Sequence, residues 1–124
     1  MRAWIVLAHG SREPRARESF AQLVARLQAM DPEVRVVPAY FSLGEPDLPT
    51  QVAALATAGV RQIHILPLFL LDGVHLRRDI PALVAELAQR WPAVEVRLES
   101  GLHDDPGLME LLARRLRCAA DAAA

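Results

Sequence analysis

The sequence contains no lysine. All fourteen basic residues are arginine, scattered along the chain and set against fifteen acidic residues for a formal net charge of −1. No basic stripe is available to neutralise a phosphate backbone, so nucleic-acid binding is not expected. Cysteine is nearly absent: Cys118 stands alone, which excludes an intrachain disulfide and a cysteine-based zinc cluster and suits a reducing cytoplasm. Long apolar runs are missing as well. The N-terminal one follows Met1 and Arg2 and ends at His9, too short for a signal peptide or a membrane span, so neither a secreted nor a membrane protein is expected.

What is present is apolar material for one core, 52% of 124 residues, the usual scale of a single domain over 1–124. Four short runs rich in β-branched residues alternate with four longer amphipathic segments. They predict strands at Trp4 to Ala8, Val34 to about Phe41, Gln62 to Phe69 and Val94 to Leu98. Helix one is expected from near Pro14 to just before Asp31-Pro32, with Phe20, Leu23, Val24 and Leu27 on one face. Helix two is expected over about Asp47 to Ala58, stopped by Gly59, and helix three from Asp79, read as its cap with Pro81 in the first turn, to Arg90. Helix four follows Asp105-Pro106 and carries Leu108, Leu111, Leu112 and Leu116, with a frayed tail over about 119–124.

The expected fold is α/β: a three-layer arrangement with a four-stranded, mainly parallel sheet and helices on both faces. Ligands of such sheets bind beyond the carboxyl ends of the strands. The segments there contain Ala8-His9-Gly10-Ser11-Arg12, Ser42-Leu43-Gly44-Glu45-Pro46, Leu71-Asp72-Gly73-Val74-His75 and Glu99-Ser100-Gly101-Leu102-His103. With strands in the flavodoxin-like order 2-1-3-4, the loops holding His9 and His75 face one crevice, where two neutral imidazoles can hold a divalent ion with positions left open for exchange. His64, inside strand three, reads as structural, and His103 as a secondary polar group of the fourth loop. Arg12, Arg77 and Arg78 flank the two key histidines and can fork onto carboxylates. Ser11 and Ser42 line the same edge, and Glu45, Asp72, Asp79 and Glu99 are candidate proton acceptors, with Asp79 better read as a cap.

The segments Val6-Leu7-Ala8-His9-Gly10-Ser11-Arg12-Glu13-Pro14-Arg15 and Leu66-Pro67-Leu68-Phe69-Leu70-Leu71-Asp72-Gly73-Val74-His75, with Asp79-Ile80-Pro81, resemble the two signatures of the CbiX/SirB family of class II sirohydrochlorin chelatases, in its short single-domain form. The resemblance implies a chelatase-like fold with His9 and His75 as metal ligands and catalytic residues. It also implies an ATP-independent lyase that inserts a divalent metal, cobalt first and nickel or iron as alternatives, into sirohydrochlorin or a related precorrin in cobalamin- or siroheme-type biosynthesis. Arg12, Ser11, Ser42, Glu45, Arg77 and Arg78 would then contact the carboxylate-rich macrocycle, no organic cofactor is needed, and a homodimer is expected. The chain departs from the family where a glutamate commonly follows the second strand: here Ala39-Tyr40-Phe41-Ser42 ends in serine, which removes a carboxylate and keeps open a non-catalytic metal or tetrapyrrole binding module. A histidine phosphatase also begins with a strand ending in His-Gly, but there an arginine precedes the histidine, and here that residue is Ala8.

Overall fold

The computed structural model describes the backbone of residues 1–123 and the side chains of these residues except Leu76 and those from 120 onward. Strands β1 (Arg2–Ala8), β2 (Arg35–Tyr40), β3 (Gln62–Pro67) and β4 (Glu95–Leu98) alternate with helices α1 (Pro14–Met30), α2 (Leu48–Thr57), α3 (Ile80–Arg90) and α4 (Pro106–Ala123). The strands form one sheet in the order β2-β1-β3-β4. Every pairing is parallel, with Ile5 opposite Val37 on one side and Ile65 on the other. Pro38, which has no N–H for a sheet ladder, is tolerated because β2 is an edge strand.

The reversal of direction after β2 sends α1 to one face and α2 and α3 to the other. On the second face Ala3, Ile5, Leu7, Ile63 and Ile65 meet Leu48, Val52 and Leu55 of α2 and Ile80, Val84 and Leu87 of α3. Full burial of each large aliphatic side chain contributes about 1.5–3 kcal/mol, so this layer supplies most of the driving force. The α1 face holds a much smaller buried cluster of Val6, Phe20, Val24 and Tyr40.

Element ends follow local chemistry. Pro14 opens α1, and the Asp47 side chain accepts from the Thr50 N–H at 2.9 Å to cap α2. Gly59, at φ +94°, takes the chain out of α2 in the left-handed conformation expected of it. Strand β3 stops at Pro67, two residues short of the expected Phe69, although Leu68 N–H still reaches the Leu7 carbonyl at 2.8 Å. The cap assigned to Asp79 is corrected: Asp79 is itself helical and makes no capping bond, because a π-helical turn over His75–Asp79 runs into α3 and moves the helix start upstream. Helical backbone in α4 continues past Cys118 to Ala123, through most of the segment expected to fray.

Candidate metal centre

His9 is the first residue beyond β1, and the chain turns there because Gly10 adopts φ +120°. A Cβ at Gly10 would lie 1.5 Å from the Ser42 carbonyl oxygen, so the backbones of the β1 and β2 loops can meet only at a glycine. They are then stitched together. Ser42 donates to the His9 carbonyl from its N–H at 2.8 Å and from its hydroxyl at 3.3 Å, and Ser11 N–H donates to the Leu43 carbonyl at 3.1 Å. The strand fixes one side of His9 and β2's loop the other.

His75 was expected in a loop. It instead opens the π-helical turn, whose i→i+5 bond runs from Ile80 N–H to the His75 carbonyl. Turns of this kind cluster at functional sites. The helical rise sets Asp79 beside His75 at i+4, with Nδ1 and Oδ2 2.8 Å apart. An ionised carboxylate only accepts, so Nδ1 carries the proton and Nε2 presents its lone pair outward.

The His9 and His75 ring centroids are 5.1 Å apart, meeting edge to face at 63°. Two imidazoles bound to one tetrahedral ion with metal–nitrogen bonds of about 2.0–2.1 Å have centroids about 5 Å apart, so the observed spacing suits a shared ion. Phe41 lies 5.2 Å from His75 and 6.1 Å from His9, and Phe69 6.0 Å from His9, giving the pair an apolar wall. Both histidines are exposed. Among the described residues no third histidine, cysteine or carboxylate completes a cluster able to hold a metal, so an ion held here would keep positions open.

The other candidates divide. Arg77 Nε stands 3.6 Å from Asp72 and Arg78 Nε 3.5 Å from Asp79; exposed pairs of this kind contribute little stability and leave the guanidinium groups free to meet another anion. Arg12 is exposed next to this edge. The Ser11 hydroxyl accepts from Glu13 N–H at 3.1 Å and Ser42 is engaged with His9, so both serines shape the loops. Glu45 lines a separate depression with Pro46, Asp47 and Thr50. Glu99, a candidate acceptor, is instead engaged by His64 at 2.7 Å, and His64 stacks on Trp4 with centroids 4.4 Å apart, which bears out its structural reading. His103 lies in a 3-10 turn beside Asp104. Leu43 and Leu71, apolar residues of the β2 and β3 loops, are exposed. The partnership of Asp79 with His75 was not foreseen, because the i,i+4 spacing pairs the two only once a helical turn begins at His75.

The family model CbiX matches residues 3–119. The sirohydrochlorin cobaltochelatase of Methanopyrus kandleri is 33% identical over 91 residues, 73% of this chain, and the match spans 63% of that protein's length. A crystal structure of a CbiX protein from Marinobacter aquaeolei VT8 superposes with a TM-score of 0.85 at 33% identity, covering 98% of this chain and 99% of that one. The sirohydrochlorin chelatase SirB from Bacillus subtilis subspecies spizizenii in complex with cobalt gives a TM-score of 0.82 at 26% identity, covering 94% of this chain and 50% of that one.

Proposed function

The chain belongs to the CbiX family, and from that premise we propose that it is an ATP-independent metal chelatase, a lyase that inserts cobalt into sirohydrochlorin or a related precorrin. The observation that carries this reading is the paired imidazoles of His9 and His75, 5.1 Å apart at the carboxyl edge of the sheet, with Asp79 orienting the second. Of the relatives named above, one is a sirohydrochlorin cobaltochelatase and another is a sirohydrochlorin chelatase solved with cobalt. Nickel and iron suit the same imidazole donors, so supply as well as affinity selects the metal.

The reaction exchanges one dication for two protons. Each histidine that gives up its bond to the metal regains a lone pair, and two freed imidazoles match two departing pyrrole protons. This balance needs no carboxylate where Ser42 stands. Asp79 holds the His75 ring in one tautomer as the metal leaves and the proton arrives. Phe41 and Phe69 provide flat apolar surface for the macrocycle, while Arg12, Arg77 and Arg78 meet its carboxylates.

One four-stranded protomer leaves a face of so broad a ligand in water. A homodimer that turns the two His9/His75 edges toward a shared cleft encloses it. No helix of the described chain is long and apolar enough to cross a membrane, and the lone cysteine accords with a cytoplasmic setting. The decisive assay is anaerobic incubation of sirohydrochlorin and cobalt with substoichiometric protein. Many turnovers per protomer support the chelatase. Spectral change limited to one equivalent would replace it with a binding module, the alternative that Ser42 keeps open.

A further inference from the structure

Leu43, in the middle of the β2 loop, has φ +48° and is the one non-glycine residue with a positive φ among those described. In this left-handed region the Cβ of an L-residue crowds its own backbone, so glycine and asparagine settle there and leucine is disfavoured. The core offsets little of this, because the side chain is 48% exposed. Exposure alone carries no message: Leu70 and Leu71 of the β3 loop are 61% and 80% exposed, and single apolar side chains are common on protein surfaces. Leu43 combines exposure with a strained backbone.

Its neighbours hold the strain in place. On one side Ser42 is bonded twice to the His9 carbonyl. On the other, Gly44 lies against the Tyr40 ring so closely that an added Cβ would come within 2.7 Å of two ring carbons. Between them the Leu43 carbonyl accepts from Ser11 N–H at 3.1 Å. Strain that is fixed in this way gathers at ligand sites. The loop itself has no need of a leucine: residue 43 gives the stitching only its carbonyl, which glycine or asparagine would supply with less strain. The side chain therefore serves something outside the chain's own fold.

We propose that Leu43 is a substrate-contact residue that sets affinity for the macrocycle, an assignment that rests on the chelatase reading above. The leucine borders the metal edge: its neighbour Ser42 is bonded to His9, and Phe41, two residues before it, lies 5.2 Å from the His75 ring. A tetrapyrrole centred over His9 and His75 spreads past both on every side, and its outer rings reach the loops that border them. There a leucine carried on a fixed backbone buries its exposed half against the hydrocarbon of the ring with little further ordering of the loop. The side chain has no donor atom for a metal, so Leu43 acts on the macrocycle and leaves the ion to the histidines.

The test is anaerobic binding of metal-free sirohydrochlorin, followed by its visible absorption, beside urea unfolding and cobalt titration of the same samples. Leu43→Asn relieves the strain and removes the apolar contact. Its urea midpoint is expected at or above the parent's, its cobalt affinity within about twofold, and its Kd for sirohydrochlorin about tenfold weaker, the size expected of roughly half a leucine's burial. Leu43→Met keeps an apolar side chain and is expected within about threefold of the parent's Kd. In turnover the loss in Leu43→Asn is expected as a raised KM at unchanged kcat. A lowered urea midpoint in Leu43→Asn, a loss of macrocycle binding equally large in Leu43→Met, or a changed mass by light scattering would overturn the proposal. A parent that binds sirohydrochlorin no better than Leu43→Asn overturns this assignment alone, whereas a parent that binds none overturns the chelatase reading with it.

Discussion

Two histidine–carboxylate pairs of almost equal length stand on β3 and on the turn that follows it. His64 Nδ1 lies 2.7 Å from Glu99, and His75 Nδ1 lies 2.8 Å from Asp79. Their surroundings differ. The His64 side chain is 10% exposed, its ring stacks on Trp4, and its Nε2 is enclosed with no partner among the described residues. The His75 side chain is 48% exposed and faces the ring of a second histidine beyond the end of the sheet. A carboxylate fixes the imidazole tautomer in both places, but only where the other nitrogen is open and joined by a second donor can the pair serve a metal. Location relative to the sheet, more than the pair itself, separates scaffold from site.

The strongest way to break this contrast is at Gly10. Gly10→Ala drives a methyl into the Ser42 carbonyl and demands an unfavourable φ, so stability is expected to fall by about 3 kcal/mol and cobalt binding to disappear. Urea unfolding and cobalt titration of the same sample check both. Next is the buried pair. His64→Ala leaves a cavity under Trp4 and an unpaired Glu99, and is expected to cost about 2 kcal/mol in urea unfolding, with cobalt affinity within twofold.

Asp79→Asn has the opposite signature. It loosens the orientation of His75, and cobalt affinity is expected to fall 10–100-fold while the urea midpoint barely moves. A large loss of stability with unchanged affinity would make Asp79 a structural residue and collapse the distinction between the pairs. The mildest effect belongs to Asp47, a carboxylate serving a helix end. Hydrogen bonds from the Thr50 side chain and main chain hold its carboxyl below the ordinary value of 3.8. Its stabilisation is therefore complete above about pH 4 and is lost as pH falls through the lowered value. Asp47→Ala is expected to cost about 1 kcal/mol near neutrality, to converge on the parent in strong acid, and to leave metal binding alone.

The sheet was legible because each strand is a β-branched run bounded by turn residues, and the alternation with amphipathic segments implied the parallel order. Gly10 made His9 legible as an edge residue, and the crevice rule joined it to His75 across 66 positions of sequence. Asp79 was misread for a physical reason. Asp-Ile-Pro is the usual start of a helix, and nothing local announces that a π turn has already begun four residues earlier. The partnership of His64 and Glu99 depends on the β3–β4 pairing, which no short-range pattern reports. The leucine stripe of α4 was plain in the sequence, but the exposure of Leu112 and Leu116 among the described residues was not, because amphipathicity shows that a face favours burial and says nothing of what covers it.

The central claim is that one metal ion bridges His9 and His75, and it is tested most directly by cobalt titration followed in the visible absorption of the ion. Four proteins suffice: the parent, His9→Ala, His75→Ala and His64→Ala. Parent and His64→Ala are expected to saturate at one cobalt per protomer with matching spectra and affinities within twofold of each other. His9→Ala and His75→Ala are each expected to lose at least a hundredfold in affinity while keeping the parent's circular dichroism. Undiminished binding in either edge variant, or loss confined to His64→Ala, would contradict the account.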